Sequence, residues 1–89
     1  MLKKLIGFTA TCLFASSITA APMDYHLAPK KIAENTWVFE GAIEDFSMEN
    51  GGNIVNTAFI VTDDSVVLID TGPSLRYGKQ VREAIRKIT

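Results

Sequence analysis

The stretch at residues 53–72, NIVNTAFIVTDDSVVLIDTG, decides the fold of this chain. Two apolar, β-branched runs, residues 53–62 and 66–70, flank the short polar segment at residues 63–65, a pattern typical of a β-hairpin. In both runs the residues of both strand faces are largely apolar. This indicates strands that other parts of the structure cover on two sides. The sequence therefore predicts two antiparallel strands joined by a solvated turn.

An amphipathic helix follows this hairpin after a tight turn at residues 71–74 (TGPS). Over residues 75–88 the apolar residues recur at helical spacing, and basic residues occupy the opposite side. Ser74 is placed to act as the N-cap, and Glu83 and Lys87 are spaced for an i,i+4 ion pair. The helix is therefore predicted to pack one apolar stripe against the strands.

A further strand is predicted ahead of the hairpin. Residues 36–39 (TWVF) are aromatic and β-branched, and Glu34 and Asn35 predict a turn before them. Residues 41–52 (GAIEDFSMENGG) predict a loop. Strands followed by a helix place the chain in the α+β class. Because a strand that feeds a helix normally leads to another strand, we expect these elements to be part of a larger fold.

Residues 1–20 have the order of segments typical of a secretory signal peptide: lysines, then an uncharged apolar run, then small residues. Residues 21–31 predict an extended lead-in, and residues 32–89 carry the remaining elements. Cleavage after residue 20 removes Cys12, and a mature chain without cysteine suits an oxidising compartment. The chain is therefore predicted to be periplasmic or secreted, with a transient membrane contact through the signal peptide.

Composition excludes some classes of function. The 89 residues carry 9 Lys+Arg against 10 Asp+Glu, which argues against nucleic-acid binding through bulk positive charge. This length allows one domain at most. The single histidine, His26, lies away from carboxylates at ligand spacing and is interpreted as a surface or packing residue, because one histidine cannot build a metal site alone.

The residues that follow the second hairpin strand carry the clearest chemical signal. This apolar strand ends in a carboxylate, Asp70, and functional groups gather at the carboxyl ends of strands in open α/β sheets. Apolar neighbours would withdraw Asp70 from water, so it needs hydrogen-bond donors or a cation. Gly72 permits a positive φ or a close backbone approach. The alternative is that Asp70 only caps the helix or accepts hydrogen bonds from the turn.

Residues 53–72 resemble the opening hairpin of the metallo-β-lactamase fold superfamily. Residues 37–39 resemble the first strand of that family, and the helix after Gly72 resembles its first helix, so the similarity covers residues 32–89. The resemblance implies an αββα sandwich of which this chain supplies the N-terminal part. The exported chain is also similar to the zinc metallohydrolases that accompany quinoprotein systems.

This resemblance implies a hydrolase that acts on a small-molecule substrate. Family members bind zinc through a His-x-His-x-Asp-His segment, and the zinc activates water. The family's Asp at the position of Asp70 orients the zinc-ligand loop through hydrogen bonds, so Asp70 and Gly72 are supporting residues. The sequence stops before the His-rich segment. We therefore expect zinc in the full-length protein, and we expect this chain alone to bind no zinc, to hold no catalytic residue and to be inactive.

The loop at residues 41–52 lies where the family often has a flap beside its active site. Phe46 and Met48 would then contact substrate, and the alternative is that they pack onto the sheet edge.

Two other functions remain open. Asp70-Thr71-Gly72 is also similar to the active-site signature of aspartic proteases, in which two Asp residues share a proton, so the chain would act as a dimer. Here, however, Pro73 and a basic helix follow the signature. The second alternative is a non-enzymatic small secreted module that uses Trp37, Phe46 and Met48 as contacts.

Overall fold

The structure, a computed structural model, describes residues 22–89. This part of the chain forms a four-stranded antiparallel β-sheet followed by one helix. The strands lie in the sheet in sequence order: β1 (Lys30–Ala33), β2 (Thr36–Phe39), β3 (Thr57–Val61) and β4 (Val66–Ile69). Helix α1 spans Leu75–Arg86. This arrangement is of the predicted α+β class. The predicted signal peptide lies outside the described residues, and within them no helix has the length and apolar character needed to cross a membrane.

The predicted hairpin is confirmed, with shorter strands than the pattern suggested. Val61 pairs with Val66 across the turn, and the register continues to Ala58 opposite Ile69. β3 begins at Thr57 rather than at Asn53, because the backbone N–H of Asn53 donates to the carbonyl oxygen of Asn50 at 2.9 Å in a turn. Ile54 and Val55 therefore precede β3 and are not part of it.

Strand β1 was not predicted. It begins with Lys30 and Lys31 inside the predicted lead-in and pairs antiparallel with β2 through a turn in which Asn35 has a φ of 61°. All four of its residues are exposed, as expected for a strand at the edge of a sheet. Lysines are common on such edges because they discourage pairing with another chain. The two adjacent lysines therefore mark an edge strand here and not a loop.

The core lies between one face of the sheet and helix α1. Phe59 is fully buried at its centre, and its ring stacks on Trp37 at a centroid distance of 5.3 Å and tilts against Phe39 at 5.6 Å. Tyr77 and Val81 from α1 are buried against the same cluster. The helical stripe predicted from the sequence is therefore confirmed as the covering layer.

The other face of the sheet is also apolar, and it is less well covered. Successive residues of a strand point to opposite faces, so the residues next to the core positions form this open face: Val38, Ala58, Ile60, Val67 and Ile69. Val67 is 47% exposed and Ile69 is 51% exposed. Within residues 22–89 the expected cover on two sides is therefore present on one side only.

The ends of α1 are only partly as expected. Ser74 is confirmed as the N-cap, because its Oγ accepts a hydrogen bond of 3.0 Å from the backbone N–H of Tyr77. The predicted pair of Glu83 with Lys87 is wrong: Oε1 of Glu83 lies 3.6 Å from Nη1 of Arg86 instead. The helix ends at Arg86, so Lys87 lies at the C-cap and not in the last turn.

The lead-in is packed against the helix through one glutamine. The Oε1 atom of Gln80 accepts a hydrogen bond of 2.8 Å from the backbone N–H of Tyr25, and its Nε2 donates to the carbonyl oxygen of Met23 at 2.8 Å. Tyr25 and Leu27 also pack against the core cluster. The lead-in therefore packs against the helix and belongs to the folded unit, and its last two residues, Lys30 and Lys31, begin β1.

Candidate functional site

Asp70 organises the turn that leaves β4. Its Oδ1 accepts hydrogen bonds from the backbone N–H groups of Thr71 at 2.7 Å and Gly72 at 3.3 Å. Its own backbone has a φ of 68°, a conformation that Asp tolerates better than most residues. Asp70 is exposed, so the expected withdrawal from water is wrong. The hydrogen-bond donors that the sequence required come from the turn itself.

Gly72 is required by both its backbone and its neighbour. Its φ is 79°, and a Cβ atom built on it would collide with the ring of Tyr77. The turn therefore passes directly over this ring, and a residue with a side chain fits neither the backbone nor the space. This structural role of Gly72 does not depend on the function of the protein.

The ring of Tyr77 packs against the turn at Gly72. From the sequence, Tyr77 was identified only as one apolar residue of the helix. Its ring is fully buried, and its hydroxyl shares a hydrogen bond of 2.7 Å with Oγ1 of Thr57, which is also buried. Tyr25 packs edge-on against it with ring centroids 5.2 Å apart. Burial raises the pKa of the Tyr77 phenol above 10.0, the hydrogen bond from Thr57 opposes this shift, and the negative charge of Asp70 adds to it.

This shift in pKa predicts a loss of stability in alkali. The unfolded chain releases the Tyr77 proton near pH 10.0, whereas the folded chain holds it to a higher pH. The contribution is therefore complete below pH 10.0 and is lost as the pH rises through the folded pKa. We expect the urea concentration at the midpoint of unfolding to be lower at about pH 11 than at about pH 8, and this difference to be smaller in Tyr77→Phe. An equal fall in both proteins would contradict this contribution of Tyr77.

A small cleft lies beside the turn and brings the predicted site residues together. It has a volume of about 240 Å³ and is lined by Gly52, Val55, Asp70, Gly72 and Pro73. A Cβ atom built on Gly52 would lie 2.8 Å from the ring of Phe46 and 2.9 Å from Pro73, so this ring lies at the edge of the cleft. Asp70, Gly72 and Phe46 therefore share one site.

Met48 does not take part in this cleft. Its side chain is 89% exposed, whereas Phe46 from the same loop is 69% exposed and lies against Gly52. The structure therefore brings only one of the two predicted flap residues to the turn at Asp70.

Asn50 holds the loop in place, and it was not singled out from the sequence. Its Oδ1 accepts hydrogen bonds of 2.9 Å from the backbone N–H groups of Ser47 and Gly52. Its Nδ2 donates to the carbonyl oxygen of Asp45 at 2.7 Å and to Oε1 of Glu44 at 3.0 Å. The Asn-Gly-Gly sequence at this point is a typical turn signal, and it was the available clue.

Tyr25 connects this loop to the helix. Its hydroxyl donates to the carbonyl oxygen of Gly51 at 2.9 Å and lies 3.1 Å from Oγ of Ser74, the N-cap of α1. The lead-in, the loop and the start of the helix are therefore joined at one hydroxyl group.

The described residues do not fit a zinc ion. In residues 22–89 no group of three or more His, Cys, Asp or Glu side chains is placed to hold a metal. His26 is exposed, and its Nδ1 lies 3.5 Å from Oδ2 of Asp24 in a surface contact. Asp70 lies beside apolar residues and glycines in its cleft, so it has no partner ligand there. A zinc site would need ligands that this part of the chain does not provide.

Comparison with known proteins supplies no relative of this chain. The chemistry of Asp70 and of its cleft is therefore the basis for assigning a function. No protein-family model, no curated protein and no solved structure matches this chain.

Proposed function

We propose that residues 22–89 are the N-terminal part of an exported zinc hydrolase of the metallo-β-lactamase fold, which acts on a small-molecule substrate. The observation that carries the proposal is the order of elements around Asp70. An apolar hairpin strand, β4, leads to Asp70, its carboxylate holds the Thr71–Gly72 turn, and helix α1 follows at once.

In this proposal Asp70 is a positioning residue. Both backbone donors of the turn bind its Oδ1, so Oδ2 is free to accept hydrogen bonds from other groups. A carboxylate held in this way orients a neighbouring loop by accepting hydrogen bonds from it. Gly72 lets the turn that carries Asp70 pass close to the ring of Tyr77. Phe46 stands at the edge of the cleft as the substrate contact of the flap.

The sheet supports the same proposal. An αββα sandwich has a helix layer on the outer face of each sheet, and the two sheets pack face to face. Here helix α1 covers one face, and the open face is apolar across β2, β3 and β4. A second sheet would bury Val67 and Ile69, which are half exposed now. Zinc ligands would come from residues outside this sequence.

The experiment is to express the protein from the gene with any reading frame that continues past Thr89. We expect stoichiometric zinc by elemental analysis in this longer protein and none in the 89-residue chain. Asp70→Asn in the longer protein should weaken zinc binding about 10-fold or more. Asp64→Asn, an equal loss of charge at the exposed β3–β4 turn, should leave zinc binding unchanged.

Two results would contradict the proposal. Tight zinc binding by the 89-residue chain would place the ligands among residues that we exclude. Peptide hydrolysis by a zinc-free dimer, abolished by Asp70→Asn, would favour the aspartic-protease alternative, in which two copies of Asp70 share a proton.

A further inference from the structure

Two neighbouring clefts share the lining residue Val55, and we call them together the double cleft. The first is the cleft of about 240 Å³ beside Asp70. The second has a volume of about 530 Å³ and is lined by residues 41–44 and 54–56. Val55 lines both. The side chains at its rim are strongly exposed: Ile43 at 105%, Phe46 at 69% and Val55 at 51%. Large apolar side chains gathered in this way are typical of a contact surface.

The ionisable side chains that line the double cleft are acidic. Glu44 lines the larger cleft and Asp70 lines the smaller one, while Asp45 and Glu49 lie on the intervening loop. Residues 32–75 contain no Lys or Arg. In residues 22–89, none of these four carboxylates takes part in an ion pair. Their charge is therefore available to a partner.

None of the basic residues in the described part of the chain lines either cleft. They follow in helix α1 and its C-cap, at Arg76, Lys79, Arg82, Arg86 and Lys87, or precede the loop in β1, at Lys30 and Lys31. The ion pair nearest to the loop in sequence joins Lys30 to Glu40 at 3.8 Å and is exposed. The separation of charge favours a cationic partner at the double cleft and disfavours an acidic one.

We infer that the double cleft binds a cationic amphipathic peptide segment of a partner protein. Apolar side chains of the segment fill the two clefts on either side of Val55, and Lys or Arg side chains beside them pair with Glu44 and Asp70. Asn50 keeps Glu44 in place through the hydrogen bond from Nδ2 to Oε1 at 3.0 Å, so one of the two charges is already oriented. This inference does not depend on the hydrolase proposal.

The test uses the full chain and three labelled synthetic peptides in a fluorescence anisotropy titration. One peptide has leucines at helical spacing and lysines elsewhere, the second replaces its lysines by glutamates, and the third replaces its leucines by serines. We expect the first peptide to bind at least about 10-fold more tightly than either of the others. Its binding should weaken when the salt concentration rises from about 0.05 M to about 0.5 M.

Matched variants locate the binding. The double variant Glu44→Gln, Asp70→Asn should weaken binding of the Leu/Lys peptide about 10-fold, and Asp63→Asn, Asp64→Asn should change it less than about 2-fold. Phe46→Ala should also weaken it, whereas Ile32→Ala removes an exposed apolar side chain of β1 and should not.

Several results would overturn the inference. Equal affinity for the Leu/Glu peptide would show that charge plays no part, and an equal effect of the two double variants would show that the acidic contact is not local. The salt series and the comparison of the three peptides need no variant, so they still test the role of charge if the variants fail to fold. Loss of peptide binding in the longer protein would show that the remainder of the chain covers the double cleft.

Discussion

Gly72→Ala will lower the free energy of unfolding by about 2–5 kcal/mol, a large part of the stability of a small domain. A residue with a Cβ atom at a φ of 79° costs about 1–2 kcal/mol, and forcing that atom against the buried ring of Tyr77 costs about 1–3 kcal/mol more. Domains of this kind are stable by about 5–15 kcal/mol, and small ones lie at the low end of that range. Urea unfolding followed by circular dichroism measures the loss.

Gly78→Ala is the matched control for this prediction. Gly78 lies inside helix α1, and a Cβ atom built on it meets no atom within 4 Å. The same change of residue should therefore stabilise the chain by about 0.5–1 kcal/mol, because alanine is the better helix former. If both variants shift the urea midpoint in the same direction, the fit of the turn over Tyr77 is not what requires Gly72.

Phe59→Ala should be equally damaging for a different reason. The Phe59 ring is fully buried between Trp37 and Phe39, so its removal leaves a cavity and costs about 3–5 kcal/mol in the free energy of unfolding. The change in fluorescence of Trp37, which stacks on Phe59, reports the unfolding transition directly.

Phe46→Ala is its control, because the same side chain is removed from a position that is 69% exposed. We expect it to lower the free energy of unfolding by less than about 1 kcal/mol. A large loss in Phe46→Ala would mean that Phe46 stabilises the loop and is not free to contact a ligand, which would contradict its place at the double cleft.

The sequence predicted those elements whose signals are local. Residues 36–39 formed β2, and Ser74 capped α1, since a run of β-branched residues and a cap each act over a few positions. The pattern also showed that both faces of β3 are apolar. It did not show which face the helix would cover, because that depends on how the chain returns over the sheet.

The contacts that hold the candidate site could not be predicted from local sequence patterns, because they join residues that are far apart in the sequence. Gln80 binds the backbone of Met23 and Tyr25, which precede it by 57 and 55 positions. A glutamine on a helix surface carries no signal for such a partner. Likewise, Tyr77 follows Thr57 by 20 positions, and their buried hydrogen bond arises only when the helix lies on the sheet. The position of Asp70 and the positive φ of Gly72 were predictable from the sequence, whereas the ring of Tyr77 beside Gly72 was not.

The two edges of the sheet have opposite character, with a consequence for how the molecule associates. β1 presents Lys30 and Lys31 at its edge, whereas β4 (Val66–Ile69) is an apolar strand that pairs with no further strand among residues 22–89. The lysines at the β1 edge would discourage pairing with an added strand. The β4 edge would offer such a strand backbone hydrogen-bonding groups next to apolar side chains. Any lengthening of this sheet, in a native assembly or in a misfolded one, is thus directional and proceeds outward from β4.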